Sequence, residues 1–451
     1  MSVLSFPPGF HWGAATASFQ VEGSTTADGR TDSIWDALCR VPGAVVNGDS
    51  GEPGADHYRR YRSDVELMKS LGLNAYRFST AWPRVRPDGG AENPKGLDFY
   101  ERLVDCLLDN GITPWITLYH WDLPQALEAE GGWADRDTAF RFADYAASVL
   151  DRLGDRVHHW ITLNEPWCSA FLGYAVGRHA PGRTSPRAAL AAVHHLMLAH
   201  GLAVDVIRGS AAQAQAGITL NLFPVVAVQP QDAEVARRVD GLQNRIFLDP
   251  VLHGRYPEDV LADLAPHGFT DYVLDGDVAT ISRTVDFLGV NYYRDLQVID
   301  SGVPVTGPTE WIGAETARFP ARGRPLTDMG WEVVPEGLTD LLLSLHRQRP
   351  DLPVYITENG AAYADEVVDG QVHDSDRVEF LAAHLRAVHA AISEGADVRG
   401  YFCWSLLDNF EWAEGYAKRF GIVHVDYATQ RRTPKDSAHW YARVIADHGL
   451  G

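Results

Sequence analysis

Two glutamates in this chain close short apolar runs in the same manner. Val354-Tyr355-Ile356-Thr357 leads into Glu358, after which Asn359-Gly360 turns the chain. Trp160-Ile161-Thr162-Leu163-Asn164 leads into Glu165, and Pro166 ends that run. β-Branched and aromatic runs bounded by Asn, Gly or Pro read as strands, so each acid stands at a strand's carboxyl end, within reach of a ligand. A lone acid there is more often half of a structural ion pair. Two of them, brought face to face, form a carboxyl pair of the kind that cleaves glycosidic bonds. The members need opposite proton occupancy: one donates to the leaving oxygen while the other stays ionised, and proximity pushes their pKa values apart. Arg77, if it reaches Glu358, holds that group charged, and Tyr293 adds a hydrogen bond. Glu358 is then the nucleophile and Glu165 the general acid, later the general base. Carboxyls about 5–5.5 Å apart retain the anomeric configuration.

Elements that would bring these acids together alternate along the chain. Strands are expected at 10–18, 75–79, 113–120, 157–164, 216–222, 287–293, a seventh ending at Glu358, and 399–406. Helical periodicity covers 57–71, 97–109, 137–153, 188–207, 232–248, 336–347, 376–393 and 437–447. The helix at 137–153 carries Phe140, Tyr145, Val149 and Leu153 among its apolar positions. Residues 294–334 lack a period and read as a long loop. Eight strands with helices between them imply a parallel sheet closed into one (β/α)₈ barrel, a single catalytic domain over residues 1–451. An open doubly wound sheet would favour a Gly-rich phosphate loop after the first strand, and Gly13-Ala14-Ala15-Thr16-Ala17 lacks that spacing.

In such a barrel function collects at the carboxyl ends of the strands. Gln20 and Glu22 follow the first; Arg77 lies on the second, with Trp82 after it; His120-Trp121 end the third. Asn291 and Tyr293 end the sixth. The eighth runs through Cys403-Trp404-Ser405 to Asp408-Asn409-Phe410-Glu411-Trp412. Amides and carboxylates bind sugar hydroxyls, and indoles cover the C–H faces of the ring. His158-His159 lacks a third ligand at metal spacing and precedes a strand, so no metal is expected.

The formal charge of −21 is a poor surface for nucleic acid or anionic lipid. A neutral small substrate tolerates it. Cys39, Cys106, Cys168 and Cys403 are few and widely spaced, as free thiols of a reducing compartment are. The first nine residues lack a signal-peptide pattern, and no run of about 18 apolar residues is found, so no membrane span is expected. The expected setting is cytoplasmic. Oligomeric state is not readable.

The chain strongly resembles glycoside hydrolase family 1, the β-glucosidase family. The motifs that carry the likeness are Phe10-His11-Trp12-Gly13 with Ser18-Phe19-Gln20-Val21-Glu22-Gly23, Tyr76-Arg77-Phe78-Ser79, Thr162-Leu163-Asn164-Glu165-Pro166, Asn291-Tyr292-Tyr293, Ile356-Thr357-Glu358-Asn359-Gly360, and Trp404-Ser405 through Asn409-Phe410-Glu411-Trp412. They span nearly the whole chain in the family's order. The resemblance implies a retaining exo-β-glycosidase without a cofactor. It implies that Gln20, His120, Asn164, Glu411 and Trp412 hold the terminal sugar, with Asn164 on the 2-hydroxyl and Trp404 beneath the ring. Trp121, Asn291 and Phe420 complete that pocket, and Trp331 and Cys168 border the leaving group. Glu165 is present where the family's thioglucosidases carry Gln. Glu411 stands where the 6-phospho branch has a small residue, so an unphosphorylated sugar is expected: glucose first, with galactose and fucose as alternatives.

A sugar-binding barrel without hydrolysis would lack one of the two glutamates, and both are here. A transglycosylase would form the same glycosyl-enzyme and pass it to an alcohol instead of water, which residues alone do not distinguish.

Overall fold

The computed structural model describes residues 4–210 and 213–451, so part of the N-terminal stretch lies outside the described residues. Among them, eight parallel strands close into a barrel. In chain order they are β1 His11–Ala15, β2 Ala75–Ser79, β3 Thr113–Tyr119, β4 His159–Asn164, β5 Gln215–Asn221, β6 Phe287–Asn291, β7 Val354–Asn359 and β8 Val398–Trp404. Neighbours in sequence are neighbours in the barrel, and β8 pairs with β1 to close it. The principal outer helices are α1 His57–Ser70, α2 Pro94–Asp109, α3 Asp137–Leu153, α4 Pro186–Ser210, α5 beginning at Ala233–Asp240, α6 Pro335–Gln348, α7 Ser375–Ser393 and α8 Asp436–Asp447.

The strands are buried on both faces, as a parallel sheet under helices requires. The amino end of the barrel is plugged by aromatic rings. Trp115 stacks on His159 with centroids 4.0 Å apart and meets the edges of Phe287 and Phe402. His159 is thus a core ring, and no metal-type cluster exists among the described residues. Room for the plug comes from glycine. A Cβ on Gly217 would stand 2.3 Å from the Phe287 ring, and one on Gly13 would stand 2.4 Å from Phe402.

Four details depart from the sequence reading. Residues 294–334 contain Leu296–Asp300 and Ala317–Arg318, which join Val225–Ala227 in a small three-stranded sheet beside the barrel mouth. The α5 helix runs on through wide turns at Gly241–Arg245 to His253, past Pro250. On α3 the inward ring is Phe142, fully buried, whereas Phe140 is 45% exposed beside Arg136. The α4 helix is long and apolar enough to cross a membrane, but most of it is buried against α3 and the barrel, His194, His195 and His200 included.

Gly217→Ala will destabilise the barrel by about 1–3 kcal/mol through overpacking against Phe287. Adding Phe287→Leu will recover part of that loss, as denaturant unfolding of the two variants will show.

Candidate active site

The floor of the barrel mouth is built on Arg77, fully buried on β2. Its guanidinium donates to Glu358 Oε1 at 2.6 Å, to the Thr357 carbonyl at 3.1 Å, to Thr117 Oγ1 at 3.2 Å and to Asn164 Oδ1 at 2.6 Å. Tyr293 donates its hydroxyl to the other oxygen of Glu358 at 2.7 Å. Glu358 therefore has a cation and a phenol for partners. Glu165 has an amide and a thiol: Asn291 Nδ2 lies 2.6 Å from Oε1, and Cys168 Sγ donates to Oε2 at 3.1 Å. Both registers that place these residues are irregular: β4 slips against β5 between Ile161 and Asn164, and β7 slips against β6 between Ile356 and Glu358. Such slips re-aim side chains at a barrel rim.

The amides are oriented by what they touch. Thr357 donates to Asn291 Oδ1 at 2.8 Å, which turns Asn291 Nδ2 toward Glu165 and Asn164. Asn164 Oδ1 accepts from Arg77 and Asn291, so its Nδ2 faces His120 Nε2 at 3.0 Å. An accepting Nε2 puts the imidazole proton on Nδ1, and that buried Nδ1 has no protein partner. Gln20 donates to Asn409, to the Phe410 carbonyl and to Glu411, while its buried Oε1 is likewise without a partner. A donor and an acceptor are thereby held ready for a polar ligand.

The cavity above this floor has a volume of about 470 Å³, the size of a small-molecule site. Its lining includes Glu165, Glu358, His120, Trp121, Tyr293, Trp404, Glu411, Trp412 and Phe420, together with Cys168 and Trp331. Gln20, Arg77, Asn164 and Asn291 stand behind that lining as the groups that orient it. Trp121 spends its indole N–H on the Asn164 carbonyl at 2.9 Å and offers only its ring, which meets Trp412 at 4.6 Å. Glu22 belongs elsewhere: it pairs with buried Arg84 and accepts from Tyr100. Trp82 is also core, stacked on Tyr145. The sequence reading missed Trp167, Arg178, Phe223, Arg294, Glu310 and Trp311. Trp167 had a signal, since it follows Glu165-Pro166 directly, and so had Phe223 and Arg294, which follow the strands expected at 216–222 and 287–293; Arg178, Glu310 and Trp311 come from segments without a period.

Electrostatics separate the carboxyls. Burial and the charge of Glu358 push Glu165 up to about 8, against the donors Asn291 and Cys168. Burial also lifts Glu358, but Arg77 and Tyr293 oppose it. Of the pair, the proton belongs on Glu165. Burial, then Glu358 and Glu165, push Glu411 up to about 8 as well. Burial and then Arg77 hold His120 well below the ordinary imidazole range, so it is neutral.

The profile of glycosyl hydrolase family 1 matches residues 3–450. The thermostable beta-glucosidase B of Thermobispora bispora is 54% identical, over 99% of this chain and 92% of that one. The 1,4-beta-D-glucan glucohydrolase of Thermotoga neapolitana is 46% identical over 99% of each. Among solved structures, the psychrophilic beta-glucosidase BglU of Micrococcus antarcticus superposes with a TM-score of 0.96 at 53% identity over the full length of both chains.

Activity that needs a proton on Glu165 will fall as pH rises through about 8 in the free protein. The Cys168 thiol stabilises the ionised form of Glu165, so Cys168→Ala will move this alkaline limb to higher pH and Cys168→Ser will largely restore it. The kcat/KM–pH profile of the two variants is the measurement; an unmoved or lowered limb in Cys168→Ala would remove the thiol from this role.

Proposed function

This chain belongs to glycosyl hydrolase family 1, and from that premise we propose how its residues divide the work. The protein is a retaining exo-β-glycosidase, a β-glucosidase that releases terminal β-D-glucosyl residues from small glucosides and cello-oligosaccharides. The substrate is a small-molecule β-glycoside. We assign the whole of residues 1–451 to one catalytic domain.

The observation that carries the assignment of roles is the inequality of partners around two carboxyls in one cavity. Glu358, held by Arg77 and Tyr293, is the nucleophile. It attacks the anomeric carbon while Glu165 passes its proton to the glycosidic oxygen, and the leaving group departs as an alcohol. With Glu358 now in an ester, its charge no longer adds to burial in raising the Glu165 pKa, while Asn291 and Cys168 still favour the ionised form. Glu165 is then ionised and takes a proton from water as the water opens the ester. Two inversions at one carbon give net retention.

Asn164, already fixed by Arg77 and His120, presents its amide to the 2-hydroxyl beside the reacting carbon. His120 donates from Nδ1, and Gln20 Oε1 accepts. Glu411 takes the 4- and 6-hydroxyls of glucose. Hydroxyl donors favour its ionised form, so sugar binding draws its pKa down from about 8. Trp404 lies under the ring, and Trp121, Trp412 and Phe420 close the apolar wall.

Glu358→Gln will lower turnover of an aryl β-glucoside by more than about 10³-fold; near-normal turnover would remove Glu358 from the role of nucleophile. Glu165→Gln will spare the first step for leaving groups that need no proton and slow poor ones by about 10²–10⁴-fold. Equal losses on 2,4-dinitrophenyl β-glucoside and cellobiose in that step would count against Glu165 as the acid. A panel of aryl β-glucoside, β-galactoside and β-fucoside will place glucose first, because only its equatorial 4-hydroxyl and its 6-hydroxyl satisfy Glu411 together.

A further inference from the structure

The mouth of the cavity is lined by three cations, Arg178, Arg294 and Lys418. Two of them are engaged. Arg178 pairs with Glu414 at 3.0 Å, and Lys418 donates to the Asp328 carbonyl at 2.6 Å. Arg294 differs. Its guanidinium lies 5.6 Å from the centroid of Trp331 and 5.9 Å from that of Phe223, both rings of the leaving-group side. Among the described residues it makes no hydrogen bond and no ion pair. The nearby carboxylate of Asp295 is taken by Arg322 in a bidentate pair. Glu310, also on the cavity wall, stands beyond ion-pair reach of Arg294. The residue is partly buried, and burial together with Arg178 presses against its charge.

A planar cation beside two aromatic rings, facing a cavity and lacking an anion, is built to meet one. Arginine recognises carboxylates through parallel N–H donors, and a partly buried guanidinium within cation–π reach of two rings has part of its freedom already removed. Trp331 and Phe223 beside it favour a flat, apolar body on the same ligand. Resting on the β-glucosidase reading, we propose that Arg294 selects the leaving group, and that the favoured class is β-glucosides of aromatic alcohols that carry a carboxylate. The glucosyl end of the cavity offers an anion no free cation, since Arg77 is spent on Glu358, so this preference lies wholly with the aglycone.

Glu310 supplies the counter-argument within the same wall. Its carboxylate lowers the positive potential at Arg294 and so weakens the preference. Removing it strengthens attraction for an anionic aglycone and leaves a neutral one without that gain.

The test compares kcat/KM for the β-glucosides of 3-hydroxybenzoate and 3-hydroxybenzamide, two phenols of similar acidity that differ in charge. The wild-type protein will favour the carboxylate by about fivefold at low ionic strength, as one partly desolvated charge-assisted pair allows. High salt will shrink the ratio. Arg294→Gln will bring it to about one, Arg294→Lys will keep part of it, and Glu310→Gln will raise it. A wild-type ratio of one or less, or a ratio that survives Arg294→Gln, overturns the proposal while hydrolysis of both glucosides leaves the β-glucosidase reading standing. Failure to hydrolyse either substrate would overturn that reading itself.

Discussion

A single buried guanidinium sets the charge of the site. Arg77 sits at the bottom of a cavity whose inner end holds three buried carboxyl groups, those of Glu165, Glu358 and Glu411. An unpaired charge in such a place costs several kcal/mol, so one cation calls for one anion there, not three. The hydrogen bonds decide which acid it is. Arg77 reaches Glu358 directly, and Tyr293 completes that carboxylate. The remaining two acids are lifted to about 8 and hold their protons near neutrality. An ionised and a protonated carboxyl thus arise from identical side chains, because one shared cation neutralises only one of them.

The same constraint orders the amides. Arg77 fixes Asn164, Asn164 fixes the tautomer of His120, and Thr357 turns Asn291 toward Glu165. Each dipole is in place before a sugar arrives, so little reorganisation accompanies the charge that develops during the reaction. The backbone bears part of the cost. Trp121, Glu165 and Trp412 all have positive φ, at 76°, 46° and 52°, a region that residues with a Cβ avoid. Conformations of this kind cost about 1–3 kcal/mol each and persist only where surrounding structure over-determines them. Here it does so by direct contact: the Trp121 indole is bonded to the Asn164 carbonyl, and its ring rests on Trp412.

This division explains what could be read from sequence. Strand ends follow from short apolar runs and the turn residues after them, so Arg77, His120, Asn164, Glu165, Asn291 and Glu358 were legible together. Their side-chain orientations were not, since a hydrogen-bond network has no linear signature. Helices with a clean apolar stripe were found nearly to the residue, as α3 was, although its inward ring proved to be Phe142 and not Phe140. The strand Leu296–Asp300 was lost in a supposed loop because its partners, Val225–Ala227 and Ala317–Arg318, are short and remote. The wide helical turns at Cys168–Ala175 also leave no period of 3.6 to recognise.

The two ends of the cavity are consequently under different physical control. The inner end is made by strand termini, where a change in one side chain disturbs a buried ion pair and several fixed amides. The outer end is made by connecting segments whose charged residues are partly exposed, as Arg178 and Glu414 are. Exposed pairs contribute little to stability, so residues there can change without unfolding the barrel or displacing Arg77 from Glu358. Chemistry at the floor and selectivity at the mouth are therefore separable in energy: the floor is constrained by the cost of an unpaired buried charge, and the mouth is not.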